Sequence, residues 1–189
     1  MTATTTQPTT LPGLSTGTWV IDPAHTEVGF VVRHMMVSKV KGRFGAFSGT
    51  IVTAENPLAS SVTAEIDAST IDTNQEQRDN HIRSADFFEV EKYPTITFSS
   101  TSIEPKGDDF VMHGNLTIKG NTRAVPLKLE LNGFGPDAFG GTRAGFTATT
   151  EISRKEFGVD IDMPMDGGGV VVGDKITITL ESEAVLQQG

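Results

Sequence analysis

The sequence predicts an all-β protein whose strands form an antiparallel sheet closed into a barrel. Three observations carry this: apolar and polar residues alternate at period two from Thr18 onward, most connections are too short for crossover helices, and Gly makes up 20 of 189 residues. With eight or more such strands, closure removes edges that would otherwise invite aggregation, although a two-sheet sandwich would meet the same need.

The strands follow in order. Val28, Phe30, Val32, His34 and Met36 share one parity, against Glu27, Gly29, Val31 and Arg33. Gly42, Gly45 and Gly49 fall in the next segment, where glycine lets a coiled strand bend; the stretch from Gly45 to Gly49 is read as lying inside one alternating strand. Val62, Ala64 and Ile66 alternate with Thr63, Glu65 and Asp67. Ile96 and Phe98 open a strand that runs to Ile103, ahead of the turn sequence Glu104-Pro105-Lys106-Gly107-Asp108. Phe110, Met112, Leu116 and Ile118 form one face of the next, Val125, Leu127, Leu129 and Leu131 of another, and Ala144, Phe146, Ala148 and Ile152 of another. Ile176, Ile178, Leu180 and Ala184 end the series.

Two segments break the alternation. Thr73-Asn74-Gln75-Glu76 has the pattern of a capping box and predicts a short helix over Asn74 to Arg83 that lies across the barrel, with Phe87-Phe88 as a wedge into apolar space. Arg154 to Asp174, with Pro164 and Gly167-Gly168-Gly169, reads as a long loop. Residues 1–15 are expected to be a disordered Thr-rich tail, and 16–187 a single domain.

Composition removes whole classes of function. No Cys means no disulfide, thiolate nucleophile, Cys-ligated zinc or iron–sulfur cluster. A net charge of −9 argues against a phosphate-tracking, nucleic-acid-binding surface. No run approaches the roughly 18 apolar residues of a membrane-spanning helix, and the N-terminus lacks a basic region and apolar stretch of the secretory type, so the expected compartment is the cytoplasm.

The chemical motifs are equally sparse. There is no G-x-S-x-G, no S-x-x-K, no P-loop and no dinucleotide fingerprint. Asp160, Asp162 and Asp166 imitate a calcium loop, but Pro164 stands inside it and the required Gly and terminal Glu are misplaced. Asn115-Leu116-Thr117 matches a glycosylation acceptor and reads as an ordinary strand segment. His25, His34, His81 and His113 are dispersed, so no metal and no other cofactor is expected. His34 shares the apolar parity of its strand. It is read either as a core histidine hydrogen-bonded to a neighbour or as a polar group meeting a ligand head group. A barrel with a mixed large and small inner face and no catalytic constellation points to enclosure of a ligand, against the alternative that Phe side chains fill the interior.

Asp22-Pro23-Ala24-His25-Thr26, followed by Phe30, Val32, His34, Gly42, Phe44, Phe47 and Gly49, resembles the opening of YceI-like proteins, the polyisoprenoid-binding, lipocalin-like family. Arg78-Asp79-Asn80-His81-Ile82-Arg83-Ser84-Ala85-Asp86-Phe87-Phe88, then Pro94 and Phe98, is similar to the central signature of that family. Gly114, Leu116, Thr117, Gly120, Thr122, Arg154, Phe157 and Gly158 match its second half, so the resemblance runs from about Thr16 to Leu186. It departs at Thr26, Ala85 and Glu89, where Ser, Pro and Asp are common, and in the absent export signal of many relatives.

The resemblance implies an extended lipocalin-like barrel whose apolar tunnel holds a polyisoprenoid, an isoprenoid quinone or a fatty amide, with no shared catalytic activity. Phe30, Val32, Phe87, Phe88 and Phe98 are its candidate tunnel residues, and His34, Met36, Met112 and Phe146 complete the ligand-binding set. Asp22, His25, Arg78, Asp79 and His81 are the matched polar positions, expected to pin the helix onto the strands. Two rivals are an enzyme that uses His34 or His25 with Asp22 as acid and base on a lipid-like substrate, and a His/Met haem or metal redox protein. An acidic barrel with an accessible strand is also compatible with a homodimer.

Overall fold

The computed structural model describes residues 14–35, 37–162 and 171–187. Its strands are β1 (Gly17–Ile21), β2 (Glu27–His34), β3 (Ser38–Phe44), β4 (Phe47–Thr53), β5 (Ser61–Asp67), β6 (Ile71–Asp72), β7 (Thr95–Lys106), β8 (Asp109–Ile118), β9 (Asn121–Pro136), β10 (Thr142–Ser153) and β11 (Val172–Leu186). The α-helix among the described residues is α1 (Glu76–Arg83), and none of the described helices is long and apolar enough to cross a membrane.

Every pairing is antiparallel, as short hairpin connections require. Eight strands close a ring in the order β1-β4-β5-β7-β8-β9-β10-β11, completed by β1 against β11. The strip β2-β3-β6 is attached to β11 outside that ring. One edge of β11 therefore serves two partners: Val172 to Glu181 pair with β2, and Ala184 to Leu186 pair with β1. β9, with 16 residues, spans about 50 Å at roughly 3.3 Å per residue, so the barrel is elongated.

The two ends differ. At one, Trp19 (1% exposed) is packed with Ile51, Ala144 and Ala184, and its indole N–H donates to Thr53 Oγ1 at 3.0 Å. Leu14 packs on this cluster and the Ser15 carbonyl accepts from Thr53 at 2.7 Å. At the other end lie α1, the β8–β9 turn and the tip of the β2–β3 hairpin. The longer core runs between them and includes Phe44, Ile71, Phe87, Leu116, Leu127 and Phe157.

Several local expectations need correction. The helix starts at Glu76, not Asn74, because Asn74 adopts φ 63, and the side chain of its N-cap residue Gln75 accepts no bond from the first turn. The capping box does not form: Thr73 instead gives its backbone N–H and its hydroxyl to the buried Asp79 carboxylate. Gly45 does not lie within a strand but begins the break between β3 and β4, where Gly45 N and Ala46 N both donate to Thr70 Oγ1 at 3.1 Å. β7 continues through Lys106, beyond the expected Ile103, and turns at Gly107, whose φ is 62.

The stretch expected as a loop from Arg154 has order at both ends. Arg154–Phe157 is a 3-10 turn stopped by Gly158 at φ 77, and β11 already starts at Val172. Arg154 is 3% exposed, and its guanidinium donates to the carbonyls of Val159, Ile161, Val172 and Gly173, which ties the two sides of this connection together. Pro164, Asp166 and Gly167-Gly168-Gly169 lie outside the described residues.

Gly114 of β8 faces the Phe98 ring, and a Cβ there would also meet Ser99 O at 2.7 Å. Ring rotation alone cannot relieve a backbone contact. Gly114→Ala is expected to destabilise the fold by about 1–3 kcal/mol, read from the midpoint of denaturant unfolding; an unchanged midpoint would refute this packing.

Candidate functional site

Between the two ends the barrel encloses a cavity of about 740 Å³ with predominantly apolar walls. Val28, Phe30, Val32 and His34 reach it from β2, Phe98 from β7, Met112 from β8 and Phe146 from β10. Phe87 and Phe88 reach it from the segment after α1. Among the candidate ligand-binding residues, Met36 alone lies outside the described residues.

The cavity exists because large inward residues lie against small ones. Phe30 pairs directly with Gly42, and its ring occupies the space where a Gly42 side chain would stand. Phe98 lies over Gly114 in the same way. The far ends of these two rings fill the space left by the glycines, and Ala64 and Ala148 leave further room on the wall. Phe30, Phe44 and Phe88 continue this wall at centroid spacings of 5.8 and 6.2 Å.

Polar groups gather near the α1 end: Arg33, His34, Gln75, Gln77, Arg78 and His81. The His34 ring is half-buried and makes no hydrogen bond to a described residue; its backbone carbonyl accepts from Ser38 Oγ at 3.2 Å and from Val37 N at 3.3 Å. That differs from a core histidine satisfied by a neighbour, and leaves both ring nitrogens for a group in the cavity or for water. Gln75, Gln77 and Arg33 were not singled out in the sequence, because each reads there as an ordinary exposed polar residue.

The polar positions Asp22, His25, Arg78, Asp79 and His81 do not form one cluster. Arg78 donates to Thr73 Oγ1 at 2.8 Å and Thr73 O at 2.6 Å, Asp79 accepts from the same threonine, and His81 contacts Asp86 at 2.9 Å with its ring edge-on to Phe87 at 5.1 Å. These contacts order α1 and its flanks. Arg83 ties α1 to β6 and the 3-10 turn Ala68–Thr70 ahead of it, donating to Ile71 O at 3.0 Å and Ser69 O at 2.7 Å.

Asp22 and His25 belong to the seam where β11 changes partners. Asp22 accepts from Ala24 N at 3.0 Å, contacts His25 Nδ1 at 2.8 Å and accepts from Arg143 at 2.7 Å. Arg143 also reaches Asp137 at 3.1 Å and Glu183 at 3.3 Å. Asp22, His25 and Glu183 have ligating atoms within 4.8 Å of one another, but the Arg143 guanidinium already bridges both carboxylates. Arg143 and Asp137 had no local sequence signal, since their partners are more than 100 residues away or across a hairpin.

The Arg143 guanidinium, and after it His25, hold the Asp22 carboxyl down at about 2, and Arg143 is pushed up by Asp22 in return. The backbone N–H groups of Gly141 and Phe139 lower Asp137. Neither Asp22 nor His25 lines the cavity; His25 faces a separate polar cleft with Arg43, Asp72 and Glu181.

Residues 19–184 match the YceI-like domain family. A UPF0312 protein of Shewanella baltica is 42% identical over 153 residues, covering 79% of this chain and 80% of the relative. Burkholderia cenocepacia BcnA superposes with a TM-score of 0.76 at 24% identity, over 86% of this chain and 98% of that one. A polyisoprenoid binding domain from Saccharophagus degradans superposes with a TM-score of 0.69 at 15% identity, over 89% and 98% of the two chains, and so shares the fold.

The depressed Asp22 carboxyl sets a pH dependence. Its folded value lies below the ordinary 3.8, so its stabilisation is complete above that value and fades as pH falls toward 2. In denaturant titrations, the stability gap between the native chain and Asp22→Asn is expected to be widest above about pH 4 and to narrow steadily below it. A gap independent of pH would show that the carboxylate charge does not matter at the seam.

Proposed function

The chain belongs to the YceI-like family, and from that premise we propose that it binds a long apolar lipid in the barrel and carries or sequesters it. The observation that carries this reading is the elongated apolar cavity of about 740 Å³, open enough to remain unfilled by its own side chains. At roughly 30 Å³ per water in the liquid, that space corresponds to on the order of twenty-five water-sized groups, which suits a chain better than a single ring. Each methylene moved out of water contributes about 0.8 kcal/mol, so length alone supplies affinity even after losses from immobilisation.

The ligand class is a polyisoprenoid, an isoprenoid quinone or a fatty amide. The name of the Saccharophagus degradans domain supports the first of these. The polar groups near α1 give the ligand a direction: its tail lies toward Trp19 and its head group meets His34, Arg78 or His81. These groups select the head group more than they set affinity. Acid–base catalysis on the same ligand draws no support from Asp22 and His25, which stand away from the cavity wall.

The test is mass spectrometry of an organic extract of natively purified protein, compared with the same protein after denaturation and refolding. A stoichiometric species with isoprenoid mass spacing in the native extract alone is expected. Phe98→Asp should reduce the retained lipid at least roughly tenfold, because a buried charge opposes an apolar chain. Phe139→Asp, at a side chain 86% exposed, should leave it unchanged. An empty native extract, with no uptake of added polyprenyl lipid or quinone by the refolded protein, would overturn the proposal.

A further inference from the structure

From Val28 to Ala54 the chain contains no Asp or Glu, although the protein carries 24 acids and a net charge of −9. That stretch holds Arg33, Lys39, Lys41 and Arg43. The β2–β3 register puts Arg33 opposite Lys39, and alternation places Lys41 and Arg43 on the same outward face. Arg43 meets Asp72 at 3.5 Å, whereas Arg33, Lys39 and Lys41 make no ion pair among the described residues. Along β2, Glu27 and its partner Glu181 lie about 20 Å from Arg33 at roughly 3.3 Å per residue; of the acids nearer this face, Asp72 is held by Arg43, and Asp174, next to the Gly173 that packs on Arg33, accepts from Ser153 Oγ and Lys155 N.

The tip of this hairpin is apolar and exposed. Val37 is 88% exposed and Met35 42%, and the backbone N–H of Val37 closes a tight turn onto His34 O at 3.3 Å. Met35 holds φ 53 in that turn, a conformation usually given to Asn, Asp or Gly. An apolar side chain is thus kept outward at a position where a small polar residue would be less strained. The tip also borders the cavity, since Arg33, His34, Val40 and Val172 all line it.

We infer that the β2–β3 hairpin docks on an anionic lipid surface, with Met35 and Val37 entering the interface and Arg33, Lys39 and Lys41 contacting head groups. Basic residues flanking an exposed apolar tip suit a negatively charged bilayer, which supplies both an apolar layer and anionic charge. A second copy of the chain fits less well, because pairing two free β3 edges would bring Lys39 and Lys41 against their own counterparts. Docking would hold the cavity mouth against the bilayer. The transfer of cargo there rests on the lipid-binding reading, whereas docking itself does not.

The test uses the full chain with vesicles of phosphatidylglycerol and phosphatidylcholine, against phosphatidylcholine alone. The native sequence has one Trp, buried at the far end of the barrel, so Val37→Trp adds a reporter whose emission is separable by difference. A blue shift and co-flotation with the anionic vesicles only, both reversed by salt, are expected. Lys39→Glu with Lys41→Glu should lower the partition coefficient at least roughly tenfold, and Val37→Asp should abolish the residual binding; both changes are on exposed positions that leave circular dichroism unchanged. An unshifted reporter with no co-flotation at low salt, or binding indifferent to these variants, would overturn docking. So would a dimer in light scattering that Val37→Asp dissolves. Cargo measured by extraction from the same samples separates the two readings: retained lipid without docking sinks only this inference.

Discussion

The fold depends on what happens at the edge of β11 near Glu183. A sheet that closes must satisfy every backbone edge, yet here β11 is shared between β2 and β1, and the chain between those two strands has to cross the edge. The turn from Asp22 to Thr26 makes the crossing. Asp22 N donates to Glu183 O at 2.9 Å, and Thr26 Oγ1 donates to the same carbonyl at 3.3 Å and accepts from Glu183 N at 3.2 Å. One turn thus replaces the missing strand partner. Arg143 then fixes the turn from outside by holding Asp22, Asp137 and Glu183 with one guanidinium.

Closure of this kind gives the barrel two unlike ends and a space between them. The ring is sealed beside Trp19, where Ala144 and Ala184 let the indole sit flush against the backbone. At the other end the strip β2-β3-β6 leaves the ring and carries α1 with it through Arg83. Two of the large rings that line the cavity, Phe30 and Phe98, stand against glycines of the neighbouring strand, Gly42 and Gly114. Stability and cavity space then come from the same residues: a ring that takes the place of a missing side chain on the neighbouring strand buries its area at the wall.

Charge is distributed along the same division. Acidic residues dominate the chain as a whole, while the four cations of the acid-free stretch from Val28 to Ala54 all fall on the β2–β3 hairpin. Polar groups on the inner side of that end, among them His34 and Arg78, meet the apolar cavity, and cations on its outer side face solvent. A ligand with a long tail and a small polar head, entering from a charged lipid surface, would meet these features in that order.

Much of this was legible in one dimension. Period-two alternation identified β2, β5 and β7 to β11 and the inward parity of Val28, Phe30, Val32 and His34, because a strand's faces follow directly from residue order. The sequence also determined that no cysteine chemistry is available and where the helix interrupts the sheet. It did not reveal the failed capping box, since the preference of Asp79 for Thr73 is decided by burial, nor the break at Gly45, which is capped by Thr70 from the 3-10 turn ahead of β6. The separation of Asp22 and His25 from Arg78, Asp79 and His81, the role of Arg143 and the open cavity were decided only by tertiary structure. Their partners are distant in sequence: Asp22 meets a guanidinium 121 positions away, and whether Phe rings fill a barrel or line it depends on which glycine stands across the strand.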